Sequence, residues 1–214
     1  INLSKINLVL STKSLYEFKP ILKSAEVAFE KNNINDLAKI TNIFFPKFIN
    51  KKIKKIFKKG VIEGNFKVPF SKNGKFMNSY TFEGKILDAD ININNDYKLK
   101  NLTSLINYEK YPLEKIEELR LIVNNGKFLN LNLSNSQIKI KFENKKKIVE
   151  TIIETKGKIN FEEIKKISSL TKIKIDSFDN ININSNLKTK INFIINNKLK
   201  LINKNYQVKG VINS

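Results

Sequence analysis

The side chains able to do chemistry in this sequence are carboxylates and lysines. His and Cys are both absent, which removes Ser-His-Asp and Cys-His nucleophiles, imidazole metal ligands, thiolate chemistry and disulfides. Carboxylates supply the only acid-base pairs, and Asp88 with Asp90 and Glu117 with Glu118 are the candidates. General acid-base work needs two carboxyls converging on one point, one of them raised by an apolar cage. Glu117 and Glu118 are neighbours pointing to different sides, and no cage surrounds either pair. Asp88-Ala89-Asp90 puts two carboxylates on one strand face but lacks the further oxygen ligands of a cation loop, so a solvated strand face is the expectation. Gly60 and Gly64 flank Val61-Ile62-Glu63 with no Gly-Lys-Ser/Thr following, and no GxGxxG occurs, so nucleotide binding has no support. The expectation is a protein that is not an enzyme and carries no cofactor and no metal.

The lysines raise a different possibility. The 214 residues include 40 Lys plus Arg against 20 Asp plus Glu, a formal charge of +20. Arg120 is the only arginine, and Asn and Ile number 32 and 33. Lys, Asn and Ile are the residues an A/T-rich genome accumulates, so drift contributes to the charge. Specific nucleic-acid recognition favours bidentate Arg contacts, whereas these lysines are spread along the chain, so no specific nucleic-acid partner is expected. An unselective attraction to anionic surfaces, strongest at low salt, is expected.

With 41% hydrophobic residues the chain can bury a core. No run of about 18 apolar residues exists, so no transmembrane helix is expected, and Ile1 in place of Met suggests a fragment of a longer protein whose membrane anchor lies outside this chain. Patterning divides the chain near Gly60, giving a mainly helical segment over 1–60 and a repetitive β segment over 61–214. Ile1 to Ser11 reads as an edge strand. Leu15, Phe18, Leu22, Ala25 and Phe29 recur at helical spacing and predict an amphipathic helix from Ser14 to about Lys31. Asn35 or Asp36 caps a second short helix through Ile43.

A third helix is expected from Pro46 to Lys59, with Gly60 as its stop. Ile49, Ile53, Ile56 and Phe57 form one face, and Lys51, Lys52, Lys54, Lys55, Lys58 and Lys59 occupy the others. Two readings stay open: a helix packed on a sheet with solvated lysines, or a membrane-surface helix whose lysines hold anionic headgroups.

After Gly60 apolar residues alternate with polar ones: Phe66, Val68 and Phe70; Ile91 and Ile93; Leu129, Leu131 and Leu133; Ile138, Ile140 and Phe142; Ile173 and Ile175; Ile181 and Ile183; Leu199 and Leu201. Asn73-Gly74, Asn94-Asn95, Asn124-Asn125-Gly126, Asn135, Asn144 and Asn196-Asn197 supply turns. Short helices are expected at 112–119 and at 161–170, the second as a lid or plug on the sheet edge. The fold class is mainly β with N-terminal helices (α+β): an extended, twisted antiparallel meander with a loose repeat of about 40 residues. An apolar face that long needs a second sheet, helices or an apolar ligand to cover it. Ile91, Ile93, Leu129, Leu131, Leu133, Ile138, Ile140, Phe142, Ile173, Ile175, Ile181 and Ile183 either line an apolar groove that binds lipid or form an ordinary sandwich core.

The order of these features resembles the AsmA-like family of bacterial envelope proteins, relatives of the bridge-like lipid-transfer proteins. The resemblance runs over about residues 40–214. It is carried by Phe45-Pro46, the Lys-rich helix ending in Gly60-Val61-Ile62-Glu63-Gly64-Asn65-Phe66, Phe82-Glu83-Gly84-Lys85-Ile86, the hairpin series Leu121 to Ile159, and Val208-Lys209-Gly210-Val211-Ile212. It implies a periplasmic, inner-membrane-anchored protein whose U-shaped β-groove, capped or plugged by short helices, carries phospholipids toward the outer membrane. Phospholipids, an anionic membrane surface and other envelope proteins are the implied partners. The alternatives are a non-transporting scaffold domain of the envelope and a nonspecific nucleic-acid-binding module.

Overall fold

The computed structural model describes residues 2–12, 14, 16, 18–36, 55–93, 97–143, 146–171, 182–196 and 200–213. They form one ten-stranded antiparallel sheet in which every strand pairs with its neighbours in sequence, and β1 and β10 are free edges. The strands are β1 (Leu3–Leu10), β2 (Leu22–Asn33), β3 (Phe57–Pro69), β4 (Tyr80–Asn92), β5 (Lys98–Tyr111), β6 (Ile116–Phe128), β7 (Leu131–Glu143), β8 (Lys146–Asn160), β9 (Asn182–Asn196) and β10 (Leu201–Asn213). One 3-10 turn, Pro112–Glu114, joins β5 to β6, and one helix, α1 (Phe161–Thr171), follows β8. Extended contacts between elements run between adjacent strands, and among the described residues no second sheet packs on the first. No described helix is long and apolar enough to cross a membrane.

Several expectations are corrected here. The helix expected over Ser14 to Lys31 is replaced from Leu22 onward by β2, which pairs with both β1 and β3. Ala25, Val27 and Phe29 also alternate, and two ladders of backbone hydrogen bonds outweigh the coincident helical spacing. Only residues 34–36 of the second helix are described, and these are helical. Of the third, residues 46–54 lie outside the described set, Lys55 and Ile56 are helical, and Phe57 to Lys59 already belong to β3. Gly60 therefore sits inside a strand, and the sheet continues across the division expected there. The helix expected at 112–119 is reduced to the Pro112–Glu114 turn, because Ile116 to Leu119 pair with β5 and Lys115 reverses the chain at φ +57°. Asn124-Asn125-Gly126 lies within β6, and the reversal falls instead at 129–130. Helix α1 occupies the expected place.

Asn135, read as a turn, lies inside a strand and has another use, which Asp88 and Asn101 share. Asp88 in β4, Asn101 in β5 and Asn135 in β7 have φ of +48°, +50° and +45°, and each lies at a register shift. With the matching shift at Gly60 in β3, they draw a line of β-bulges across the sheet, three or four residues from one end of each strand. A bulge inserts one residue and changes the phase of the alternation. Inward positions accordingly jump by three, from Phe57 to Gly60, Ile86 to Ala89, Leu99 to Leu102, Val123 to Gly126 and Leu133 to Ser136, and all stay on one face. Gly60 has φ +144°, and a Cβ there would stand 2.8 Å from both Ala89 Cβ and Ile34 Cδ1. The buried cluster of Ile34, Ile86, Ala89, Leu102 and Val123 gathers along this line.

Candidate functional site

Residues opposite each other in an antiparallel ladder point to the same face. Following the register from strand to strand, one row reads Ile6, Val27, Phe66, Phe82, Tyr108, Leu119, Ile140, Val149, Phe193 and Lys204, one residue from each of the ten strands. The adjacent row reads Leu3, Phe29, Gly64, Gly84, Ile106, Leu121, Ile138, Thr151, Ile191 and Tyr206. At the usual strand separation each row is about 43 Å long. Apolar side chains dominate both rows, and backbone pairing satisfies the amides beneath them.

The aromatic-x-Gly motif at Phe82 to Gly84 has a packing explanation. Gly64 and Gly84 face each other, and a Cβ on either would meet the Phe82 ring at 2.7 or 2.5 Å. The ring lies flat across this glycine pair, and Phe29 stacks parallel to it at 5.9 Å.

Of the expected lining residues, Ile91, Leu131, Leu133, Ile138, Ile140, Phe142 and Ile183 lie on this face. Leu131 is buried, and the others are partly exposed. Two depart from expectation. Ile93 follows the end of β4 and is 55% exposed, its N–H donating to the Tyr97 carbonyl at 2.9 Å. Leu129 occupies the β6–β7 reversal with φ +55° and is no part of the strand face. Ile173, Ile175 and Ile181 lie outside the described residues, as do Lys51, Lys52 and Lys54. Lys55 is exposed beside β3, while Lys58 and Lys59 are exposed on β3, with Lys59 Nζ 3.5 Å from Asp90. Asp88 is exposed at its bulge, and the half-buried Asp90 accepts from the Asn101 amide at 3.1 Å. Among the described residues no cluster of three or more Asp or Glu side chains forms a metal site.

Sequence reasoning assigned no lining role to Phe82, Leu119, Leu121, Val149, Ile191 or Phe193. Leu119 and Leu121 carried the signal as an alternating pair, obscured by the helix expected over 112–119.

Among the described residues no layer covers most of this face. The chain exposes 14,918 Å², whereas a compact monomer of 24.8 kDa exposes about 10,200 Å². At the sheet edges Leu3, Ile6, Leu8, Tyr206, Val208 and Ile212 are 52–60% exposed. One end is closed. There Ile34 packs into the buried cluster, and α1 crosses from β8 to buried Tyr97, whose hydroxyl donates to the Lys166 carbonyl at 2.9 Å. The start of α1 is held by a reciprocal capping box: the Glu163 amide donates to Asn160 Oδ1 at 2.9 Å, and the Asn160 amide donates to Glu163 Oε2 at 3.1 Å.

The opposite end carries polar aromatics. The Tyr108 hydroxyl donates to Glu117 Oε1 at 3.0 Å, and Tyr80 packs between Phe66 and Tyr108. Burial, then hydrogen bonding to Tyr80 and Glu117, raises the Tyr108 pKa far above the usual phenol range. The other face of the sheet is mainly polar. Burial there pushes the Glu118 carboxyl up, but hydrogen bonds and charges from Arg120 and Lys139 outweigh it and leave the pKa below its ordinary value.

No protein-family model, curated protein or solved structure matches the chain.

Proposed function

We propose that the apolar face is the floor of a groove that shields phospholipid acyl chains, and that this chain is a section of a periplasmic AsmA-like lipid conduit between the inner and outer membranes. One observation carries the reading: an apolar and aromatic row crosses nine adjacent strands, β1 to β9, with no facing layer among the described residues. Such a face in water is costly. At about 0.8 kcal/mol per methylene, two acyl chains of about 16 carbons gain on the order of 25 kcal/mol by staying out of water, and the same contact covers the sheet. The bulge line supports a curved sheet, since bulges bend strands and increase their local twist. The envelope location and direction of transport rest on the family resemblance.

The experiment is lipid analysis of purified protein by native mass spectrometry, with refilling by dioleoyl phospholipids after delipidation. Bound two-chain lipid is the expected result, reduced in Leu121→Asp and Ile138→Asp variants that keep their fold. Protein that emerges lipid-free and takes up no acyl lipid on titration overturns the proposal.

A second reading draws on the edges. Among the described residues β10 presents 13 residues with one side of the backbone unpaired, and Tyr206, Val208, Val211 and Ile212 are at least half exposed. A scaffold that joins other envelope proteins by strand addition would use this edge. Association that blocks β10 while the apolar face stays free of lipid would favour it.

A further inference from the structure

We propose that one rim of the apolar face is a headgroup rail, on which Lys110, Glu117 and Lys147 receive the headgroups of phospholipids whose chains lie on the face. This rests on the acyl-chain reading above and adds a site to it. At the end of the sheet opposite α1, Tyr80 pairs with Lys110 and Lys110 with Glu117, while Phe142 pairs with Lys147 and Lys147 with Ile195. These residues run across the strands along one edge of the face. At the register positions of this face in β3–β9, Lys110, Glu117 and Lys147 are the charged residues, and the remaining positions are apolar, aromatic, small or uncharged polar. Within β3–β9 the charge on this face is thus confined to one rim.

The side chains there are arranged to receive ions. Lys110 Nζ lies 5.6 Å from the centre of the Tyr80 ring, and Lys147 Nζ lies 5.7 Å from that of Phe142. Aromatic support positions each ammonium while its N–H donors remain available. Neither lysine forms an ion pair among the described residues. Glu117 takes the Tyr108 hydroxyl, so its carboxylate is oriented without neutralising Lys110. Lys110 and Glu117 stand one strand apart, about 4.8 Å. A phosphate on Lys110 therefore leaves an ethanolamine ammonium beside Glu117, so a zwitterionic phosphoethanolamine headgroup fits the pair. Lys147 is three strands from Lys110, about 14 Å, and serves as a separate station along the same rim.

The test titrates delipidated protein with dioleoyl phosphatidylethanolamine and with dioleoylglycerol, which has the same chains but no headgroup phosphate, and reads binding by native mass spectrometry. The native protein is expected to prefer the phospholipid. Lys110→Gln with Lys147→Gln should reduce phospholipid binding by up to about fivefold per lysine and leave dioleoylglycerol binding unchanged. Lys188→Gln with Lys190→Gln, on the other face, should change neither. Equal binding of both lipids by the native protein, or full retention of the preference in the rim variant, overturns the rail and leaves the groove standing. An equal loss in the opposite-face variant assigns the preference to general charge and also overturns the rail. Failure of the native protein to bind either lipid overturns the acyl-chain reading and the rail with it.

Discussion

Replacing Ile140 with Asp, and Val123 with Asp in a parallel variant, separates an uncovered face from a sealed core. Both residues lie on the same side of the sheet. Ile140 sits between Leu119 and Val149 and is partly exposed, whereas Val123 is 5% exposed within the cluster of Ile34, Ile86, Ala89 and Leu102. Fully burying an aliphatic side chain is worth about 1.5–3 kcal/mol, so losing the partial burial of Ile140 costs about 1–2 kcal/mol if its new carboxylate remains in water. At Val123 the carboxylate has no route to solvent, and the lost burial adds to the penalty of an unpaired buried charge, for about 4 kcal/mol or more. With a urea m-value of about 2 kcal/mol/M, the midpoint should fall by about 0.5–1 M for Ile140→Asp and by about 2 M or more for Val123→Asp. The assay is equilibrium urea unfolding followed by far-ultraviolet circular dichroism on lipid-free protein. Equal losses at the two positions, or outright unfolding of Ile140→Asp, would show Ile140 to be in a closed core and refute the groove.

Two further outcomes follow from particular contacts. Because the folded pKa of Glu118 lies below its ordinary value of 4.5, its carboxylate stabilises the fold above that pH, and the contribution fades as pH falls from about 4.5 through the folded pKa. Urea titrations at pH 7 and pH 3 should therefore show Glu118→Gln destabilised at the higher pH, with the difference from native narrowing at the lower; a constant difference would count against this pairing. Asn160→Ala removes the side-chain half of the α1 capping box, at about 1 kcal/mol, so hydrogen exchange should accelerate about fivefold across Phe161–Thr171 and stay unchanged in β4–β7.

The β-rich meander was legible in the alternation of Ile138, Ile140 and Phe142, because a period of two records which side of a strand is apolar. Helix α1 was legible for a related reason, as Phe161, Ile164, Ile167 and Leu170 keep helical spacing. The misreadings share a cause. Leu22, Ala25 and Phe29 satisfy a helical period while Ala25, Val27 and Phe29 satisfy a strand period, and local spacing contains no term for the β1 and β3 ladders that settle the matter. Asn135 looked like a turn because turns and bulges both recruit residues that tolerate positive φ.

The sequence by itself determined the chemistry the chain lacks, the alternating stripes and the excess of lysine, since these depend on residue types and near neighbours. Tertiary structure decided that ten strands join one unclosed sheet, that the bulges align so every phase change keeps apolar residues on one side, and that three charged residues share a rim. Each of these depends on the relative register of segments far apart in sequence, and register is set only when the strands pair.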